Sequence, residues 1–376
     1  MASHQEKRMH MALALAQEGI GSVEPNPVVG CLIEKEGRII GQGWHRAFGG
    51  PHAEINAITD CLKQGNSPNG ATLYVTLEPC CHQGKTGPCT KAIIEAQVQR
   101  VVIAAADPSE KVDGKGIAQL RQAGMDVQVG ICEQQARLFN APFYHQAITG
   151  NTWVVLKWAQ SLDGNLGYKD PTHDRWISGQ LSQLDCHILR RRTQAILVGI
   201  NTVLADNPLL TPRPAQGRNP LRIVLDNTLR IPLNSQLVVT APQYPLLIVT
   251  RQEAVENNLN KVEKLRQQSV ELLTLPAGTI DSSVSVVYRE LCVRGIQQLL
   301  VEGGAQVISS FLKEGHAHEL VVYVCPLLLG SEGTISIGSA LKALPDMVSL
   351  HQIETTALGS DIRFRGFTQA SLDSRY

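Results

Sequence analysis

The sequence lacks an excess of charge of either sign. Across 376 residues, 34 lysines and arginines balance 34 aspartates and glutamates, so no whole-molecule field draws in nucleic acid or an anionic membrane. Aromatic residues make up only 5%, too few for a platform on which single-stranded bases would stack. No apolar run is long enough to span a bilayer. The opening "MASHQEKRMHMALALAQ" goes straight into helical periodicity, without a secretory cleavage pattern. There is no low-complexity tract, no repeat at solenoid spacing and no GxGxxG fingerprint of a standard dinucleotide fold. These absences point to a soluble, cytoplasmic protein with no nucleic-acid or membrane partner. A local basic pocket for a single phosphate stays open.

Cysteine is present in an odd number, nine, in a chain too large to need disulfides as its main support, which fits a reducing compartment. Cys31, Cys61, Cys132, Cys186, Cys292 and Cys325 sit in apolar contexts and read as small buried hydrophobes. The other three crowd into "TLEPCCHQGKTGPC", residues 76–89, beside a histidine, a lysine, glycine and proline. Core cysteines seldom keep such company.

Two α/β halves follow from periodicity. In the first, a helix around residues 10–16 ends at Gly19 and Gly21, and "VVGCLIEKEGRIIGQGWH" reads as a hairpin turning near Gly37. "HAEINAITDCLKQG", "CTKAIIEAQ" and "GIAQLRQAG" read as helices between the strands "ATLYVTL", "RVVIAAADP" and "MDVQVG". Such alternation predicts a layered α/β domain over 1–150. The second half, 151–376, restarts with "WVVLKWAQSLDG" and runs through apolar strands "AILVGI", "LRIVLD", "LLIVT", "ELLTL", "QQLLVEGG" and "ELVVYVCPLLLG". Helical stretches lie between several of them. The proline-rich piece 207–220 is a loop, because strand signals resume directly after it.

A zinc site that does chemistry needs three protein ligands and one open position. His52-Ala53-Glu54, followed later by Pro79-Cys80 and by Cys89, has the residue order of zinc deaminases. There a histidine and two cysteines hold the metal and the glutamate shuttles protons. The gap from Cys80 to Cys89 is longer than the usual Cys-x-x-Cys. Cys80 ends a strand, and Cys89 opens a helix whose dipole favours a thiolate. Cys81 must then point elsewhere. His52, Cys80 and Cys89 with an open corner is one reading. His82 as a fourth ligand, closing the site and making it structural, is the other.

"PNPVVG" (25–30), "GWH" (43–45), "HAE" (52–54) and "TLEPCCHQGKTGPC" together resemble the deaminase half of the bifunctional riboflavin-biosynthesis deaminase–reductases. "KWAQSLDG", "RWISG", "ILVGINTVLADNPLLTPR", "IVLD" and "LLVEGGAQV" resemble the reductase half, in the same order. The resemblance implies a cytidine-deaminase-like three-layer domain followed by a dihydrofolate-reductase-like α/β domain. The first would deaminate 2,5-diamino-6-ribosylamino-4(3H)-pyrimidinone 5′-phosphate, zinc lowering the pKa of water from about 15.7 to about 7 and Glu54 moving the proton. The second would reduce the ribosyl group with NADPH, giving 5-amino-6-ribitylamino-uracil 5′-phosphate.

By the same resemblance, Asn26 would hydrogen-bond the ring, and His45 and Lys85 would engage the ribose phosphate. Arg190, Leu210, Arg213 and Glu302 would face the reductase substrate, the two arginines offering bidentate bonds to phosphate. Ala159, Trp176, Thr202, Asp206, Asn227, Gly304, Ala305, Gln306 and Val307 would contact NADPH, and a homo-oligomer is implied. Three positions depart from the pattern: Gly87 where a second proline is usual, and Asp174 and Asn227 where serines are expected. Asp174 motivates an alternative, deamination alone with a reductase-like scaffold. A zinc-stabilised binding module is the alternative of another class.

Overall fold

The computed structural model describes residues 2–83, 87–170, 176–214, 219–278, 282–333, 336–342, 344 and 346–369. They form two compact units that divide between Thr149 and Gly150.

The first unit begins with α1 (His4–Gln17), started by a capping box. The Ser3 hydroxyl accepts from the Glu6 N–H, and the Glu6 carboxylate accepts from the Ser3 N–H, so two orphan donors of the helix end are satisfied at once. Strands β1 (Gly30–Lys35) and β2 (Arg38–Trp44) make the expected hairpin, turning through Glu36 and Gly37, both at positive φ. Then come α2 (Ala53–Lys63), β3 (Thr72–Val75), α3 (Cys89–Glu95), β4 (Arg100–Ile103), α4 (Lys115–Gln122) and β5 (Asp126–Val129). Helices α5 (Glu133–Phe139) and α6 (Ala141–Thr149) close the unit.

The sheet order is β2-β1-β3-β4-β5, antiparallel across β2, β1 and β3 and parallel from β3 to β5. Successive residues of β1 face opposite sides, as the strand period of two requires. Cys31 and Ile33 pack with Ala57, Leu73, Ile93 and Ile117 in one apolar cluster. Leu32 packs with Met9, Tyr74, Val102 and Tyr144 in the other. Helices thus cover both faces, a three-layer arrangement.

Among the described residues the second unit is built on nine strands. In chain order it runs β6 (Trp153–Ser161), α7 (Gln180–Arg192), β7 (Ala195–Gly199), α8 (Ile200–Asp206), β8 (Leu221–Leu225), α9 (Gln236–Val239) and β9 (Leu246–Arg251). It continues with α10 (Gln252–Glu256), α11 (Leu259–Gln267), β10 (Val270–Leu275), α12 (Ser283–Val293), β11 (Gln298–Val301) and α13 (Ala305–Lys313). It ends with β12 (Glu319–Cys325), α14 (Ile337–Leu341), β13 (Leu350–Leu358) and β14 (Asp361–Thr368). The order is β10-β9-β8-β7-β11-β6-β12-β14-β13, with only the last two pairings antiparallel. Every residue of β7 and β11 is buried, which is why these strands read as unbroken apolar runs rather than alternations.

The closing hairpin β13–β14 escapes a search for apolar strands. β13 is largely exposed, and β14 is tied down by charge. Arg365 pairs with buried Glu319 on β12, and Arg363 pairs with Asp185 on α7. Of the six cysteines assigned to the core, Cys31, Cys61, Cys186 and Cys325 are buried. Cys132, which sits at φ 59° just before α5, and Cys292 are only partly so.

Candidate functional site

In the first unit two helix starts and one strand end meet. His52 immediately precedes α2, Cys89 is the first residue of α3, and Cys80 lies beyond the end of β3. His52 Nδ1 is 3.2 Å from Cys89 Sγ and 3.5 Å from Cys80 Sγ. The three donor atoms all lie within 4.8 Å of one another, and among the described residues the group does not include His82, which is exposed. The Cys89 N–H donates to Cys80 Sγ and the Thr90 N–H to the Cys80 carbonyl, so the start of α3 cradles the strand-end cysteine.

These distances fit a metal. A tetrahedral zinc with Zn–N near 2.05 Å and Zn–S near 2.3 Å separates its N and S ligands by about 3.5 Å. One imidazole and two sulfurs are also a donor set that suits zinc. The sulfurs are already differentiated: contact with Cys89 and with His52 lowers the Cys80 thiol, whereas contact with Cys80 and burial raise that of Cys89. Metal binding must therefore displace the Cys89 proton.

Glu54 stands in the first turn of α2, 3% exposed. Burial, then the nearby Cys80 thiolate, pushes its carboxyl up to about 7. A carboxyl poised there can both take and give a proton at neutral pH.

His45 is buried, and its ring meets that of His52 edge-on at 5.3 Å. Its Nδ1 lies 3.1 Å from the Pro51 carbonyl, which can only accept, so Nδ1 carries the hydrogen. Nε2 is then the acceptor for the Asn26 amide at 3.3 Å. Burial lowers the His45 pKa, which agrees with that neutral tautomer. His45 thus orients Asn26. Asn140 fixes the loop below, exchanging two 2.9 Å bonds with the Val28 backbone. Lys85 lies outside the described residues.

In the second unit most of the sequence-selected residues fall along the carboxyl ends of the adjacent strands β8, β7, β11 and β6, the edge where open parallel sheets take their ligands. Thr202 lies in α8, directly after β7. Glu302, Gly303 and Gly304 follow β11 and lead into α13, whose first residues are Ala305, Gln306 and Val307. Gly303 has φ 139°, and a Cβ there would meet Thr202 Oγ1 at 3.3 Å. Only glycine suits that backbone, and the turn presents N–H groups at a helix start.

Arg190 and Glu302, 112 residues apart, form a two-pronged ion pair at 2.6 Å on each side. Their side chains are 12% and 5% exposed. Arg190 also donates to the Thr211 carbonyl. Its fork, expected to face a phosphate, is therefore engaged by Glu302, and Arg213 is left exposed with its charge felt at His187. Leu210 is buried at φ 57°. Ala159 lies in β6, and Asp206 ends α8 exposed. Trp176 is 62% exposed. Asn227 follows β8, its Oδ1 accepting from the Ser283 hydroxyl at 2.6 Å. Asp174 and its neighbour Arg175 lie outside the described residues.

Sequence reading passed over Glu78, Gly116 and Lys157. Glu78 is buried under the metal loop, and Lys157 on β6 sits over the Tyr323 ring and within electrostatic reach of Glu302. The one signal for Glu78 was its place two residues before Cys80.

Residues 2–105 match the family model of the cytidine and deoxycytidylate deaminase zinc-binding region, and residues 152–364 match that of the RibD C-terminal domain. The riboflavin biosynthesis protein RibD of Aquifex aeolicus is 40% identical over 357 residues, 94% of this chain and 96% of its own. That of Bacillus amyloliquefaciens is 37% identical over 372 residues, 98% of each chain. Among solved structures, Acinetobacter baumannii RibD superposes with a TM-score of 0.79 at 33% identity, covering 97% of this chain and 99% of its own. A diaminohydroxyphosphoribosylaminopyrimidine deaminase/5-amino-6-(5-phosphoribosylamino)uracil reductase from Thermotoga maritima gives 0.78 at 34% identity, covering 97% and 98%.

Proposed function

The chain belongs to the RibD family and is a bifunctional deaminase and reductase of riboflavin biosynthesis, and from that premise we propose how its residues divide the work. Residues 1–150 remove the amine of 2,5-diamino-6-ribosylamino-4(3H)-pyrimidinone 5′-phosphate. Residues 151–376 reduce the ribosyl group of the product to ribityl. The observation that carries the reading is a buried glutamate, poised near neutrality, beside three converging metal donors.

In the first unit His52, Cys80 and Cys89 hold zinc, which supplies the Lewis acidity that makes water a competent nucleophile at neutral pH. Glu54 takes one proton from the attacking water and passes it to the ring nitrogen; it then takes the second from the new hydroxyl on the ring carbon and gives it to the amine, which leaves as ammonia while the carbonyl forms. Asn26, aimed by His45, hydrogen-bonds the pyrimidine ring, and Lys85 engages the phosphate region. In the second unit NADPH supplies the hydride. The Gly303–Gly304 turn and the start of α13, with Thr202 beside them, support a bound anion of the cofactor. Ala159, Trp176, Asp206 and Asn227 extend that surface. Arg213 binds the substrate phosphate, while Glu302, held by Arg190, and Leu210 face the sugar.

No described helix is long and apolar enough to cross a membrane. Leu181, Leu184 and Ile188 make an exposed apolar stripe on α7, and this supports a homo-oligomer, to be checked by solution mass. The activity test supplies the diaminopyrimidine phosphate with and without NADPH. Ammonia should appear in both cases, and the ribitylamino product only with NADPH, one oxidised per product. Ammonia release without any NADPH oxidation would remove the reductase assignment.

A further inference from the structure

We propose that α4 and the loop before it are the frame that sets the spacing of the two cysteine ligands, with Glu78 as the positioning residue. Glu78 is 3% exposed and lies two residues before Cys80. Its Oε2 accepts from the N–H groups of Asp107 and Gly114, each at 3.2 Å, and its Oε1 accepts from Ile117 N–H at 3.1 Å. Gly114 is the N-cap of α4 and Ile117 its third residue, and the N-cap itself offers no side chain. The missing cap is supplied from the metal loop, by a carboxylate suited to a helix N-terminus.

The second cysteine is tied to the same helix. Thr90, directly after Cys89, donates its hydroxyl to Gln119 Oε1 on α4 at 2.6 Å. Between these two ties Gly116 lies against Pro79, and a Cβ on it would stand 2.2 Å from the Pro79 carbonyl oxygen. Cys80 and Cys89 are therefore each braced, through a neighbouring residue, on one rigid element. Outer groups that fix ligand orientation typically change metal affinity by about 10–100-fold when removed. In Glu78→Gln one carbonyl oxygen is left to accept, and the amide N–H₂ faces whichever of the three N–H donors has lost its acceptor. That relaxes the loop before Cys80 and leaves all three ligands in place.

The inference rests on His52, Cys80 and Cys89 holding the metal, so the experiment separates the two ideas. Zinc content per chain is measured for wild type and Cys80→Ser. Zinc release into a chromogenic chelator is then timed for wild type, Glu78→Gln, Gln119→Leu and Leu32→Ala, well below every melting temperature. Leu32 lies in the apolar cluster on the other face of the sheet, so its truncation destabilises the unit without touching the frame. Glu78→Gln should release zinc about 10–100-fold faster, and Gln119→Leu faster by less. Leu32→Ala should match wild type even where its melting temperature falls as far. Wild-type release from both frame variants overturns the proposal, as does equal acceleration in Leu32→Ala. Should Glu78→Gln fail to fold, the exposed Gln119 site decides alone. Equal zinc content in wild type and Cys80→Ser overturns the metal reading, and the frame with it.

Discussion

Glu54 in the first unit and Glu302 in the second are both buried, yet their surroundings hold them in opposite states. Around Glu54 stand two sulfurs and one imidazole, and burial with the Cys80 thiolate lifts its carboxyl to about 7. Burial acts on Glu302 in the same direction, but the Arg190 guanidinium outweighs it, helped by Lys157 and His187, and the pKa falls below the ordinary carboxylate range. One carboxyl is free to exchange a proton at neutral pH. The other is a fixed anion that anchors a cation. Environment, not residue type, assigns the two roles.

Replacing each glutamate by glutamine should break that contrast most sharply. Glu54→Gln should lower the deamination rate by about 10²–10⁴, with zinc content unchanged and reduction of supplied deaminated substrate intact. In metal-free protein its effect on stability has the opposite sign. A carboxyl at about 7 when folded and 4.5 when unfolded contributes stability below pH 4.5 that is lost as pH rises through 7. Metal-free Glu54→Gln should therefore melt above wild type at pH 8 and alike at pH 4. Glu302→Gln should instead destabilise the second unit by about 3–5 kcal/mol, because it strands a buried guanidinium. Here the folded pKa is depressed, so the stability is present above the unfolded pKa and lost as pH falls through the folded one. The gap between wild type and variant, read from the fluorescence of Trp153 and Trp158 during denaturation, should narrow in acid.

The two sites were also unequally legible. His52, Glu54, Cys80 and Cys89 can be picked out in the sequence because imidazoles, thiols and a carboxyl carry their chemistry in the side chain and sit at two helix starts and just beyond one strand, which periodicity marks. The open metal corner was less visible, since nothing in "CCHQ" says that His82 stays outside. The role of Glu78 was hidden for a different reason: its partners are backbone N–H groups 29, 36 and 39 residues on, which no residue letter records. In the second unit the glycine turn after β11 looked commonplace until the sheet order placed it beside β7 and Thr202. The Arg190–Glu302 pair could not be read across 112 residues, so the sequence shows two candidate substrate residues without showing that they hold each other. Strands β13 and β14 went unseen because β13 is largely exposed and charged residues interrupt the apolar positions of β14, of which Phe367 is fully buried.

The engagement of Arg190 by Glu302 makes Arg213 the first test of where the reductase substrate's phosphate sits. Arg190 spends three of its donors inside the protein, whereas Arg213 is exposed. A hydrogen bond to a charged group contributes about 1.5–3 kcal/mol. Arg213→Gln should thus raise KM for the deaminated phosphate about 10–100-fold with kcat little changed, and leave deamination alone. If KM does not move, the phosphate is held elsewhere and the resemblance has been carried one residue too far.

The smallest effect should come from Thr202, and it distinguishes a cofactor site from a mere turn. Its hydroxyl overhangs Gly303, 3.3 Å from where a Cβ would stand, so it borders the groups that would meet a bound anion. Thr202→Val keeps the shape and removes one hydrogen-bonding group, worth about 0.5–1.5 kcal/mol. If that hydroxyl faces NADPH, cofactor affinity should weaken about 2–10-fold by titration while the ligand-free melting temperature hardly shifts. If it serves only the protein, the melting temperature should fall and the affinity should stay put. Glu54 cannot be tested by so small a change, because its contribution is a proton in motion. At Thr202 the contribution expected is one fixed bond, as befits a turn that presents mainly backbone groups.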